Sequence, residues 1–111
     1  MYMIIDNIVN EYFDAFTKKN IGRLSELYHD DVSLNEWNSS IFEGKSAVIE
    51  ANKKLFEQFE KIAIVVKTKG ITANRSINEI LVVLDGTSVN VVDVIEIVDN
   101  KIKNIVAYRG F

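Results

Sequence analysis

The hydrophobic pattern of this chain changes period once, from helical spacing in its first half to strand alternation in its second. Ile5, Ile8, Val9, Tyr12, Phe13 and Phe16 recur three and four residues apart, which places them on one face of a helix. The spacing predicts an amphipathic helix over residues 3–18. Asn20 is a good N-cap type and opens a second, short helix carrying Ile21, Leu24, Leu27 and Tyr28. VSLNEW, Val32 to Trp37, reads as a short strand and NSSIFEG as a loop. Residues 45–59 then form a third helix, with Val48, Ile49, Asn52, Leu55, Phe56 and Phe59 on its inner face.

Beyond Phe59 the segments IAIVVKTKGITA, INEILVVL, TSVNVVDVIEIV and KIKNIVAYRGF read as strands, because β-branched residues fill them. Gly70 is the expected bend in the first. Asp85-Gly86 is a strong hairpin signal, and Asp99-Asn100 marks the next reversal, so the long strands make an antiparallel meander. There is no proline, which suits an uninterrupted sheet, and no repeat, linker or low-complexity run. Helices followed by strands predict an α+β fold with helices on one face of a curved sheet. A length of 111 residues suits one domain, 1–111, with one core.

Such a sheet leaves a cavity beneath its helices, and polar side chains aimed into it carry the information. In VNVVDVIEIV one face holds Val89, Val91, Asp93, Ile95 and Ile97, so a carboxylate stands in the most apolar row of its strand. Charged there, it is costly unless paired. It is either protonated or paired with Arg109 or a lysine. In VSLNEW, Glu36 shares its face with Val32 and Leu34. Tyr12 lies one turn from Ile8, Val9 and Phe16. Two carboxyls and a phenol therefore point toward one interior from three elements.

Composition narrows the partners. The balance of 13 basic and 16 acidic residues, net charge −3, and the lack of any basic run beyond Lys18-Lys19 and Lys53-Lys54 argue against nucleic acid. No cysteine is present, so there is no thiolate nucleophile or zinc–thiolate site. No His/Asp/Glu cluster has metal-ligand spacing, and no metal or cofactor is expected. The opening MYMIIDNIVNEYF contains Asp6 and Glu11 and does not read as a signal peptide. No window approaches the roughly 20 apolar residues of a membrane span. A cytoplasmic protein that does not act at a membrane is the expectation.

Three stretches carry a family resemblance. EYFDAFTKKNIGRLSELYHDDVSLNE, FEGKSAVIEA and VVDVIEIVDNKIKNIVAYRG follow one another as the opening helices, the glycine-initiated third helix and the last hairpin do in the ketosteroid isomerase and SnoaL-like branch of the nuclear transport factor 2-like superfamily. The chain resembles that branch over nearly its whole length. The resemblance implies a cone-shaped, curved antiparallel sheet wrapped around three N-terminal helices. It also implies a homodimer through the outer sheet face, which includes Val92, Val94 and Val98. The family's oxyanion-hole tyrosine and aspartic acid fall on Tyr12 and Asp93. Its general base falls on Glu36, where the family has an aspartate one methylene shorter. Trp37 follows where the isomerases usually have proline, and TKKN replaces a glycine-containing turn after the first helix.

The activity implied is proton abstraction and double-bond shift on a small hydrophobic carbonyl compound. Glu36, Tyr12 and Asp93 would be catalytic, and Trp37, Phe16, Phe56, Val91 and Ile95 would bind substrate. This superfold hosts many activities, so a non-catalytic ligand-binding or dimerisation module of the same fold stands beside the enzyme reading. His29 is the only histidine and reads as a surface residue. Asp30-Asp31 is expected to shape the turn before the first strand.

Overall fold

The computed structural model describes residues 2–37 and 39–110. Helix α1 spans Tyr2–Thr17 and buries Ile5, Ile8, Val9, Tyr12, Phe13 and Ala15. The exit from α1 is a Schellman turn: Asn20 N donates to Ala15 O, and Lys19 N donates to Phe16 O. Lys19 takes the left-handed conformation, φ 56°, where glycine is the unstrained choice. Asn20 also caps α2 (Ile21–Leu27), its side chain accepting from Arg23 N at 3.0 Å.

The strands are β1 (Tyr28–Glu36), β2 (Ile41–Glu43), β3 (Ile62–Thr72), β4 (Arg75–Leu84), β5 (Thr87–Val98) and β6 (Lys101–Arg109), with α3 (Lys45–Gln58) between β2 and β3. They form one sheet in the order β2-β1-β6-β5-β4-β3. Every neighbouring pair is antiparallel except β1 with β6, which is parallel. Two turns are of the mirror-image kind that matches strand twist: Asp85 and Gly86 have φ 48° and 87°, and Asp99 and Asn100 have φ 54° and 58°.

Three sequence expectations shift. The loop NSSIFEG contains β2, a three-residue edge strand, too short to show a period. The bend in β3 is a bulge between Val66 and Thr68, while Gly70 pairs regularly with Ile77. The bulge exchanges the two faces of β3, so that Lys69 reaches α1 and bridges Asp6 at 2.9 Å. Strand β1 begins at Tyr28, and its register with β6 slips between Tyr28 and Ser33. His29, Asp30 and Asp31 occupy that irregularity, where Asp30 and Asp31 meet Lys45 and Lys103 at 3.3 and 3.7 Å.

The helices cover the concave face. The core joins Ile5, Val9 and Phe13 of α1, Leu24 and Leu27 of α2, and Val48 and Phe56 of α3 to Val32, Ile80, Ile95, Ile97, Ile102 and Ile105 of the sheet. Lys19 adds a long-range tie, because its Nζ donates to the carbonyls of Phe56 and Phe59 at the end of α3. A cation there satisfies orphan carbonyls and complements the helix dipole. No helix among the described residues is long and apolar enough to cross a membrane.

Candidate active site

A cavity of about 890 Å³ lies between the concave face and helices α1 and α3. Tyr12, Glu36 and Asp93 all line it, together with Phe16, Trp37 and Val91. Its walls are otherwise Leu34, Phe42, Ile64, Ile80, Val82 and Ile105. Helix α3 turns a stripe of Ala47, Ala51 and Leu55 toward it, and the two small residues leave room for a ligand.

Strand register sets the arrangement. Ala107 of β6 pairs with Glu36 of β1 on one side and with Asp93 of β5 on the other. Directly paired residues point to the same face of a sheet, so both carboxyls flank Ala107 in one cross-strand row. With strands about 4.8 Å apart, the Cα atoms of Glu36 and Asp93 are about 10 Å apart. Ala107 forms the floor between them, and Tyr12 approaches from the helical side.

The two carboxyls live in different environments. Asp93 is 7% exposed, and burial raises its pKa from 3.8 to about 7. Among the described residues no cation lies within 4.0 Å of it, and its carboxyl makes no hydrogen bond. Yet among the described residues no fully buried polar side-chain atom is left without a partner, so the carboxyl oxygens open onto the cavity that Asp93 lines. The lysine or arginine pairing left open by the sequence is absent among the described residues. Glu36 stands at the exposed end of the row.

Tyr12 is buried and its pKa is raised well above the usual phenol value, mainly by burial and then by Tyr28 and Asp93. It remains a neutral donor across the physiological range. Tyr28 is likewise held neutral by burial, and its hydroxyl donates to Asn52 Oδ1 at 2.6 Å. The Tyr12 and Tyr28 rings lie 6.3 Å apart between centroids, so Tyr28 and Asn52 stand together in the core behind Tyr12. On the other side Asn78, paired with Asp93, donates to the Asp93 main-chain oxygen at 3.4 Å and accepts from Ser76 Oγ at 3.2 Å.

Some expectations need correction. Phe56 and Ile95 do not line the cavity. Phe56 packs edge-on against Phe16, 5.0 Å between centroids, one step around the helix from the cavity stripe. Ile95 is fully buried in the core, two residues deeper than Asp93. Trp37 is on the rim and packs at a tilt of 39° against Tyr108, 5.3 Å between centroids. Sequence reading did not select Tyr28, Asn52, Asn78, Ala107 or Arg109 as site residues. Asn52 and Asn78 carried a signal, as amides on otherwise apolar faces. Ala107 and Arg109 carried none, since only pairing with β1 and β5 puts them beside the carboxyls.

A shallower depression of about 610 Å³ is lined by Lys18, Lys19 and Lys61. Its cations are partly engaged, Lys18 by Asp14 and Lys19 by carbonyls, and Glu60 is the acid beside them.

The fold is that of nuclear transport factor 2-like proteins. It superposes with a TM-score of 0.83 on such a protein, of unknown function, from Cytophaga hutchinsonii, 14% identical, over 96% of this chain and 89% of that one. A candidate ketosteroid isomerase from Kribbella flavida is 14% identical over 98% and 79% of the two chains, TM-score 0.85. A candidate SnoaL-like polyketide cyclase from Jannaschia is 15% identical over 96% and 85%, TM-score 0.85. Residues 9–105 match the SnoaL-like domain, and the chain belongs to that family. No curated protein matches it. At these identities the structural neighbours establish the fold alone.

Proposed function

We propose that the protein is a cofactor-independent, ketosteroid isomerase-like enzyme that shifts a double bond in a small hydrophobic carbonyl compound. The supporting observation is that one cavity is lined by Glu36, Tyr12 and Asp93. In this reading the Glu36 carboxylate removes a proton from the carbon next to the carbonyl. The electron pair moves onto the carbonyl oxygen, giving a dienolate. Tyr12 and protonated Asp93 donate to that oxygen in a largely apolar site, where such donors act most strongly. Glu36 then returns the proton to the far carbon of the conjugated system. The environments suit the division of labour: burial favours the neutral, donating form of Asp93, while Glu36 stands at the exposed end of the row. Ketosteroid isomerase itself is the precedent for a buried, protonated aspartic acid in such a role. The same reading takes the protein as a cytoplasmic homodimer joined through its outer sheet face.

The test is proton–deuterium exchange of β,γ-unsaturated ketones, followed by NMR. Wild-type protein should catalyse exchange, and Glu36→Gln, which keeps shape but cannot accept the proton, should lower the rate by roughly 10²–10⁴-fold while ligand binding persists. No exchange by wild-type protein over a panel of such ketones would leave the cavity as a binding site without chemistry.

A further inference from the structure

Arg109 ends β6 in register with Val91 of β5, two residues beyond Ala107. Residues two apart on a strand share a face, so Arg109 stands about 7 Å further along the wall that carries Glu36, Ala107 and Asp93, and it lines the cavity. Among the described residues no carboxylate lies within 4.0 Å of its guanidinium. The other cation lining the cavity, Lys54, stands on α3 across from the sheet wall that carries Glu36, Ala107, Asp93 and Arg109. The cavity thus has neutral donors at one place, apolar walls, and an uncommitted guanidinium near the rim.

We propose that Arg109 docks a carboxylate of the ligand, so that the substrate class is small apolar carbonyl compounds carrying a carboxylate remote from the carbonyl. The carbonyl end of this assignment rests on the isomerase reading; the Arg109 end does not. A single guanidinium forks onto a single carboxylate. A phosphate dianion would meet the repulsion of two carboxylates, Glu36 and Glu50, that line the same cavity. A two-ring body is long enough to reach from the Asp93 row to Arg109, which stands about 7 Å further along the strand.

Calorimetric titration with 6-hydroxy-2-naphthoate and with its methyl ester tests this at about pH 6, where the acid is ionised and Asp93 stays largely protonated. The acid should bind wild-type protein about fivefold more tightly than the ester, the upper range for a partly exposed ion pair. Arg109→Met should bring the ratio to about one by weakening the acid alone, and Lys54→Met should leave the ratio as it was. Salt at about 0.5 M should erode the acid's advantage and spare the ester. Equal binding of acid and ester to wild-type protein, no binding of either, or a preference that survives Arg109→Met would each overturn the proposal. Loss of proton exchange with an intact acid preference would sink the isomerase reading and leave Arg109 its role. A normal exchange rate with no acid preference would do the reverse.

Discussion

Glu36 and Asp93 are separated by the width of one residue, Ala107, in a single row across three strands. A methyl group is all that occupies the sheet surface between a buried carboxyl and an exposed one. A ligand that touches both must lie over it. Ala107→Phe should therefore weaken binding of a naphthol ligand by at least about tenfold, because the ring fills the only space between the acids. Phe suits a strand, so thermal denaturation should show the fold retained. Unaltered naphthol affinity in the variant would mean that ligands lie elsewhere in the cavity.

Asp93 gives a pH dependence of definite sign. Its folded pKa, about 7, is raised from 3.8 by burial. Between these values the folded state holds more protons than the unfolded one, so stability from this group falls as pH rises through that window. The full cost above it is roughly 4 kcal/mol by linkage. Asp85 acts oppositely, because its backbone hydrogen bonds from Lys61 and Glu60 lower its pKa, so Asp93 variants must be compared with wild type at each pH. Asp93→Asn should be no less stable than wild type at about pH 8 and lose the downward slope. Asp93→Leu should keep the fold but weaken a phenolate-like ligand by roughly 1.5–3 kcal/mol. A large loss of stability in both variants would make Asp93 a structural anion.

Lys19 couples two helices through opposing effects. Its left-handed backbone, φ 56°, costs on the order of 1 kcal/mol relative to glycine. Its side chain holds the carbonyls of Phe56 and Phe59. Lys19→Met keeps the strain and removes the cap, and should destabilise the protein by about 1 kcal/mol in urea titration. Lys19→Gly exchanges one effect for the other and should fall between wild type and Met. Met equal to wild type would show that the cap contributes nothing.

The outer sheet face carries Val65, Ile77 and Tyr108, each 40% exposed or more, beside the half-buried Val92 and Val94. Apolar surface arranged on one face favours self-association. Light scattering should show a dimer at tens of micromolar, and Val94→Lys should shift it toward monomer. A monomeric wild-type protein at that concentration would count against the dimer.

The α+β class, the three helices and the inward faces of Tyr12, Glu36 and Asp93 were legible in the sequence, because period and face are local properties of a helix or strand. The turns at Asp85-Gly86 and Asp99-Asn100 were legible for the same reason: their side-chain types tolerate positive φ. Strand β2 and the Lys67 bulge were not, since neither is long enough to establish or break a period.

What the chain determined by itself was therefore which residues face inward; which of them meet was decided by tertiary structure. Strands β1 and β6 lie about seventy residues apart along the chain, and nothing local specifies that they pair in parallel, or with Glu36 opposite Ala107. That register follows from burying the core residues of both strands together beneath α1 and α3. It aligns Glu36 with Asp93, brings Arg109 to the rim, and leaves Phe56 and Ile95 behind the cavity wall. Burial likewise decides the charge of Asp93, because its pKa depends on how completely the folded helices and sheet exclude water from a side chain whose type alone would make it an anion.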